Sequence, residues 1–306
     1  MSRHLWIASL LALGLSLATA QQDPKANLSP ATSPASSANN DTHRLHYGTD
    51  PLQFGELHLP HATREVPIII VVHGGCWADS LPGDHPAPDY SLTEPLAAAL
   101  TREGLATWNI EYRRAGSPGG GWPNTYLDLA SAVDYLRIIA PTYKLDLSKV
   151  LVVGHSSGGQ LALWLGARSR LAQTSPLYTK NPLPIREIID IDGPPDLTAA
   201  QPFESQYCPI PAVTQFMEGK PSDQPIRYHD GSAQPLLPLG IPQIILTAHL
   251  LQSVGTLAAD YKAAATAKGD LVTIVPLEGG HFKMLDPSSN PGKAAIAVIL
   301  KAAQTF

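Results

Sequence analysis

Four short segments carry side chains suited to acyl transfer. Gly154-His155-Ser156-Ser157-Gly158 follows the apolar run Val150 to Val153 and precedes a helical pattern from Gln160 to Arg168. Where a buried strand turns sharply into a helix, two glycines relieve the crowding and the serine hydroxyl is pushed out at the strand end. The free N–H groups of the helix's first turn lie beside it. Ser156 is therefore the candidate nucleophile. His73-Gly74-Gly75-Cys76-Trp77 closes another apolar run, Pro67 to Val72. Glycines after a strand let backbone N–H groups approach a ligand, so Gly74, Gly75 and Cys76, with the Ser157 amide, are the candidate donors to an oxyanion. His73 itself reads as a structural hydrogen-bonding residue.

A base is needed to take the serine proton. Glu278-Gly279-Gly280-His281-Phe282 follows the last apolar run, which makes His281 the candidate. His249, next to a strand end, and His229, in a region without periodicity, fit surface or packing roles better. The segment Ile241 to Val254 offers no carboxylate to orient the base. The preceding strand, Ile185 to Ile191, brings Asp190 and Asp192 onto one face by its period of two, and Asp192 is nearer the strand's C-terminal end. Asp192 is the favoured acid and Asp196 the next, although Asp196 also suits a helix cap. Asp286 suits a local loop cap.

These segments need a scaffold that gathers strand ends along one edge. Pro67 to Val72, Ala106 to Ile110, Val150 to Val153, Ile185 to Ile191, Pro242 to Thr247 and Leu271 to Val275 read as strands buried on both faces. Helical patterns lie between them, the clearest starting at Pro123 and ending at Pro141 with Tyr126, Leu129, Ala130, Val133 and Leu136 on one stripe. Gln53 to Leu59 alternates more and suits an antiparallel edge. This order predicts an α/β fold with a mainly parallel sheet and helices on both faces. Residues 193–240, rich in Pro, Gln and Ser, read as an insertion over the ligand-binding edge.

The chain is identified as a member of the α/β-hydrolase superfamily, in the branch of bacterial carboxylesterases, kynurenine-formamidase-like enzymes and prolyl-oligopeptidase-like hydrolases. HGGCW at 73–77 resembles that family's oxyanion loop, GHSSG at 154–158 its nucleophile elbow, and GGHF at 279–282 its histidine loop. Order and spacing agree over 46–306. The resemblance implies an α/β-hydrolase fold with an insertion after the sixth strand, and a serine hydrolase that cleaves a carboxylic ester without a cofactor. It also allows the acid at the end of the strand that carries Asp192. The chain departs from the family's usual pattern in lacking an acid after the penultimate strand, where the resemblance places Leu251 at the acid's position. This leaves open a Ser-His dyad or a non-catalytic binding protein on the same fold. A formamidase or a prolyl-oligopeptidase-like peptidase is a further alternative, although no propeller and no recognisable Glu-Glu pair accompany it.

Trp77, His155 and Trp122, the last in Gly119-Gly-Gly-Trp122, are candidates for contact with a substrate. Asp79, Asp84, His85 and Asp89 lack a compact metal spacing and read as a solvated loop. Cys76 and Cys208 are the two cysteines, and the sequence leaves open whether they pair.

Residues 1–20 read as a secretory signal, with Arg3 and His4, an apolar stretch from Leu5 to Leu17, and Ala18-Thr19-Ala20 as cleavage site. This predicts a secreted or periplasmic protein. Residues 21–44, poor in large apolar side chains, read as a flexible linker, and 45–306 as the catalytic domain. The 306-residue chain carries a formal charge of -5. That excludes a basic nucleic-acid binder, and no second apolar segment suggests a membrane partner once the signal is cut. The expected partner is a small-molecule ester or amide, and the oligomeric state is left open.

Overall fold

The computed structural model describes residues 41–248 and 252–305. The expected signal, residues 21–40 of the expected linker, and His249 and Leu251 lie outside them. The main sheet has eight strands, which we number in chain order: β1 (Asp41–His46), β2 (Phe54–Leu59), β3 (Val66–Val72), β4 (Ala106–Ile110), β5 (Leu145–His155), β6 (Glu187–Ile191), β7 (Gln243–Ala248) and β8 (Val272–Leu277). Their spatial order is β1-β2-β4-β3-β5-β6-β7-β8. β1 and β2 are antiparallel and β2 is antiparallel to β4, while every pair from β4 to β8 is parallel.

The run Ile68-Ile-Ile-Val-Val72 shows why the parallel strands are continuously apolar. Ile68, Ile70 and Val72 enter one core with Leu129 and Val133 of α2 (Asn124–Tyr143), Leu161 of α3 (Ser157–Ala167) and Tyr261 of α8 (Gln252–Ala267). Ile69 and Val71 enter the other core with Leu96 and Leu100 of α1 (Glu94–Arg102) and Ile299 of α9 (Asn290–Ala303). A strand with helices on both faces has no solvent side on which to place polar residues.

The insertion after β6 holds four short helices, α4 (Leu197–Ala200), α5 (Glu204–Tyr207), α6 (Ala212–Phe216) and α7 (Pro225–Gly231). It is fastened to α2 and α3 by polar groups. Tyr126 Oη and Gln160 Nε2 both donate to the Gly231 carbonyl, at 2.9 and 2.7 Å, and Trp164 Nε1 donates to the Asp230 carbonyl at 2.9 Å.

Two boundaries differ from expectation. Residues 41–44, expected to belong to the linker, are strand, because Asp41 to Arg44 in β1 pair with Leu59 to Glu56 of β2. An edge strand with one wet face has no apolar run to reveal it. The helix expected to stop at Pro141 runs two residues further, to Tyr143, and ends at Lys144 in the left-handed conformation. Among the described residues no helix is long and apolar enough to cross a membrane.

Candidate active site

β5 delivers Ser156 in a strained turn, with φ 57° and ψ −125°. Its neighbours explain the glycines. A Cβ on Gly154 would lie 2.0 Å from the Gly158 carbonyl oxygen, and one on Gly158 would lie 2.3 Å from the carbonyl oxygens of both Val72 and His73. Such approaches leave no space for a side chain, so the elbow exists only with glycine at both places. The Ser156 N–H donates to the Ile191 carbonyl at 2.8 Å, which fastens the elbow to the end of β6.

The residue after Ile191 is Asp192, buried and at φ 59°. Its Oδ2 lies 2.6 Å from His281 Nδ1, and its Oδ1 accepts the Ala248 N–H at 3.1 Å. Asp192 N in turn donates to the Leu246 carbonyl at 2.8 Å. The carboxylate is thus held by β7 on one oxygen and by the histidine on the other. His281 Nε2, Ser156 Oγ, and the N–H groups of Gly75, Cys76 and Ser157 have no hydrogen-bond partner among the described residues.

The other acids are occupied elsewhere. Asp196 caps α4 by accepting the Thr198 N–H at 2.9 Å, and Asp286 accepts from Ser288 and Lys283. Asp190 is fully buried, with Oδ1 accepting the Gly193 N–H at 2.8 Å and Oδ2 without a partner. Burial pushes its carboxyl well above the usual range and the nearby Asp192 adds to the shift, although the Gly193 N–H opposes it. Asp190 therefore suits a protonated, structural role beneath the turn that aims Asp192.

The glycine loop after β3 reaches the elbow from the other side. A Cβ on Gly74 would lie 2.9 Å from Ser156 Cβ and 2.8 Å from the His155 carbonyl oxygen, so glycine permits the contact. His73, as expected, is structural. Its ring is buried and stacked 4.3 Å from Tyr112, with Nδ1 2.7 Å from the Gly74 carbonyl oxygen and Nε2 3.3 Å from Glu111 Oε1. Burial would raise the Glu111 carboxyl, but His73, Arg114 and the Tyr112 N–H together hold it below its ordinary value. Cys76 pairs with Cys208 across 132 residues, with their Cα atoms 6.0 Å apart. The disulfide ties the glycine loop to the insertion.

The three residues expected to contact substrate take other places. Trp77 is 1% exposed, stacks on Phe216 of α6 at 5.6 Å and donates to Gln160 Oε1 at 3.0 Å. It is a pillar under the loop, because its ring is spent on packing. Trp122 is also buried, edge-on to Tyr126, with its backbone N–H donating to the Phe216 carbonyl. His155 is 1% exposed, and Nε2 lies 3.1 Å from the His281 carbonyl oxygen. Burial, and next the nearby His281, hold its pKa well below the usual histidine range. A neutral His155 donates from Nε2 and so clasps the histidine loop to the elbow. His229, the other described competitor for the base, pairs with Asp230 at 2.8 Å within the insertion.

Phe282, to which the sequence alone assigns no role, is 58% exposed, and its ring stands edge-on 5.0 Å from the His281 ring. An exposed aromatic beside a candidate base is visible only once the loop is folded.

Comparison with known proteins gives this architecture its family. Residues 56–236 match the BD-FAE family. The chain belongs to it. BD-FAE members such as this one are α/β-hydrolase-fold esterases, related to several bacterial carboxylesterase and feruloyl-esterase families. Among solved structures, the chain is similar to esterase B from Lactobacillus rhamnosis, with a TM-score of 0.70, 17% identity and coverage of 87% of this chain and 86% of that one. It is also similar to a truncated carbohydrate esterase from gut microbiota (TM-score 0.67, 18% identity, 89% and 99% covered). A third similar structure is an acetyl ester-xyloside bifunctional hydrolase from Caldicellulosiruptor lactoaceticus (TM-score 0.66, 16% identity, 86% and 96% covered). No curated protein sequence matches the chain.

Proposed function

We propose that this esterase is an exported serine hydrolase that cleaves carboxylic esters through an acyl-enzyme, with Ser156 as nucleophile, His281 as base and Asp192 as the acid. The 2.6 Å contact between His281 Nδ1 and Asp192 carries this reading, because it fixes the tautomer that leaves Nε2 to accept the serine proton. Ser156 Oγ attacks the ester carbonyl and its proton passes to His281 Nε2. The oxyanion is met by N–H groups of the Gly74-Gly75-Cys76 loop and of Ser157, which have no competing acceptor at Gly75, Cys76 and Ser157. His281 then returns the proton to the departing alcohol, and water repeats the sequence to free the acid.

Export is supported by the signal-like residues 1–20 and by the Cys76–Cys208 bond, since disulfides persist in oxidising compartments. The similar structures named as carbohydrate and acetyl esterases make small acyl esters of sugars the first substrates to try. The test is labelling with a fluorophosphonate probe, with the modified residue mapped by mass spectrometry in wild type, Ser156→Ala, His281→Ala and Asp192→Asn. Labelling at Ser156 that is lost in His281→Ala and slowed in Asp192→Asn is expected. A folded wild-type protein that takes no label would overturn the proposal and favour a binding role.

A further inference from the structure

A second cluster of potential ligands lies on the antiparallel edge of the sheet. Glu56 and His58 are two residues apart on β2, so the pleat puts both side chains on one face. α1, which begins at Glu94, packs against β2 and β4. One ligand atom from each of Glu56, His58 and Glu94 lies within 4.8 Å of the others. The fold assembles this group from distant positions, which is why no compact spacing marks it in the sequence.

The state of His58 points to a ligand. The ring is 3% exposed and sits opposite Thr42 in the β1–β2 register, with Nδ1 3.1 Å from Thr42 Oγ1. Nε2 has no hydrogen-bond partner, although Glu94 Oε2 is only 3.2 Å away. The tautomer that donates Nδ1–H to Thr42 aims the Nε2 lone pair toward Glu94 and Glu56. In that tautomer three acceptor atoms face one another, with Arg44 on Glu56 and Asn109 on Glu94 meeting part of their charge, an arrangement that a shared cation stabilises.

The surrounding contacts hold these ligands in place. Asn109 Nδ2 donates to Glu94 Oε2 at 3.3 Å, and Thr93 Oγ1 donates to Asn109 Oδ1 at 2.8 Å. Arg44 holds the Glu56 carboxylate through Oε1 at 2.6 Å. A metal-bound histidine characteristically gives its other ring nitrogen to such an outer partner.

We propose that Glu56, His58 and Glu94 form a structural site for a divalent transition cation, zinc in preference to calcium or magnesium, which pins α1 to the β1–β2 edge. One imidazole nitrogen with two carboxylate oxygens suits zinc, whereas calcium and magnesium favour all-oxygen shells. Tetrahedral ligands at zinc bond lengths of about 2.0 to 2.1 Å stand roughly 3.3 Å apart. The His58–Glu94 separation of 3.2 Å lies close to that value, and the Glu56 carboxylate, within 4.8 Å of both, supplies the third ligand. Water takes the fourth. The competing arrangements hold no metal and pair Glu94 with a His58 that carries its proton on Nε2 or is doubly protonated.

The proposal is tested on the full folded chain, stripped with EDTA and dialysed, by titrating zinc chloride in a calorimeter and by following Tm with and without zinc. One equivalent binding at micromolar strength or tighter, with a rise in Tm, is expected. Glu94→Gln and His58→Gln should each weaken binding at least 10-fold and abolish the rise in Tm. Cobalt(II) gives a second readout, a tetrahedral visible spectrum in wild type that Glu94→Gln loses. Should His58→Gln fail to fold, Glu94→Gln decides, since its carboxylate is partly exposed. Wild type that binds no zinc, or a folded Glu94→Gln that binds it as well as wild type, overturns the site.

Discussion

Asp192 reaches His281 from the end of β6, one strand away from the β7 end where the acid usually stands in this fold, and touches its Nδ1 at 2.6 Å. The Ala248 N–H at the end of β7 completes the grip on the other oxygen. Replacing Asp192 by Asn puts an amide where the ring needs an acceptor and favours the wrong tautomer. Asp192→Asn should lower kcat by about 10³- to 10⁴-fold with little change in KM. Asp196→Asn, which alters only the α4 cap, should stay within a few-fold of wild type. Steady-state kinetics on p-nitrophenyl acetate checks both. Equal losses from the two would remove Asp192 from its role.

The elbow glycines predict a contrast in stability. Gly158→Ala forces a methyl to within 2.3 Å of two backbone oxygens that cannot retreat without moving β3. A loss of about 3 kcal/mol is expected. Gly255→Ala, on α8 with nothing within 4 Å of the new methyl, should instead gain about 0.5 to 1 kcal/mol from reduced freedom of the unfolded chain. Urea unfolding of the two variants measures the difference, and similar values would contradict the packing argument.

Asp190 makes stability depend on pH in a direction unusual for a carboxylate. Its native pKa is raised by burial, so above the unfolded value of about 3.9 the native state holds a proton that the unfolded state has released. That contribution is full below pH 4 and is lost as pH rises toward the native pKa. Asp190→Asn has no such proton to lose. Relative to wild type its Tm should therefore improve as pH rises above about 4 toward the native pKa, and a difference constant with pH would refute the assignment.

Trp77 separates packing from hydrogen bonding. Trp77→Phe keeps a ring against Phe216 but leaves the buried Gln160 Oε1 without its donor. A loss of about 1 to 2 kcal/mol is expected, read by urea unfolding. KM should be nearly unchanged, because the ring does not face solvent.

The strands and the tight turn at Ser156 were legible because each has a local signature, a continuous apolar run or a glycine pair around a serine. Asp192 was legible only by parity along its strand, which Asp190 shares. The difference between them lies in what each oxygen meets, Ala248 and His281 for one and Gly193 alone for the other. β1 was hidden because DTHRLH pairs on one side and faces water. Trp77, His155 and Trp122 lie in the segments that build the site, yet their positions gave no sign of which way each ring turns. The Cys76–Cys208 bond spans a separation over which sequence carries no distance information.

That bond also divides the three residues of the proposed triad topologically. Ser156 and Asp192 lie inside the covalent ring closed by residues 76 and 208, while His281 lies outside it on the chain that follows. Closing a ring of this size restricts the unfolded chain by about 5 kcal/mol in the loop-entropy picture. Ser156 and Asp192 share that restraint, whereas His281 is returned to them only by noncovalent docking of β7, β8 and α9. Under heat, the first irreversible event for activity is therefore expected at the C-terminal third, as loss of His281 from an otherwise tethered site.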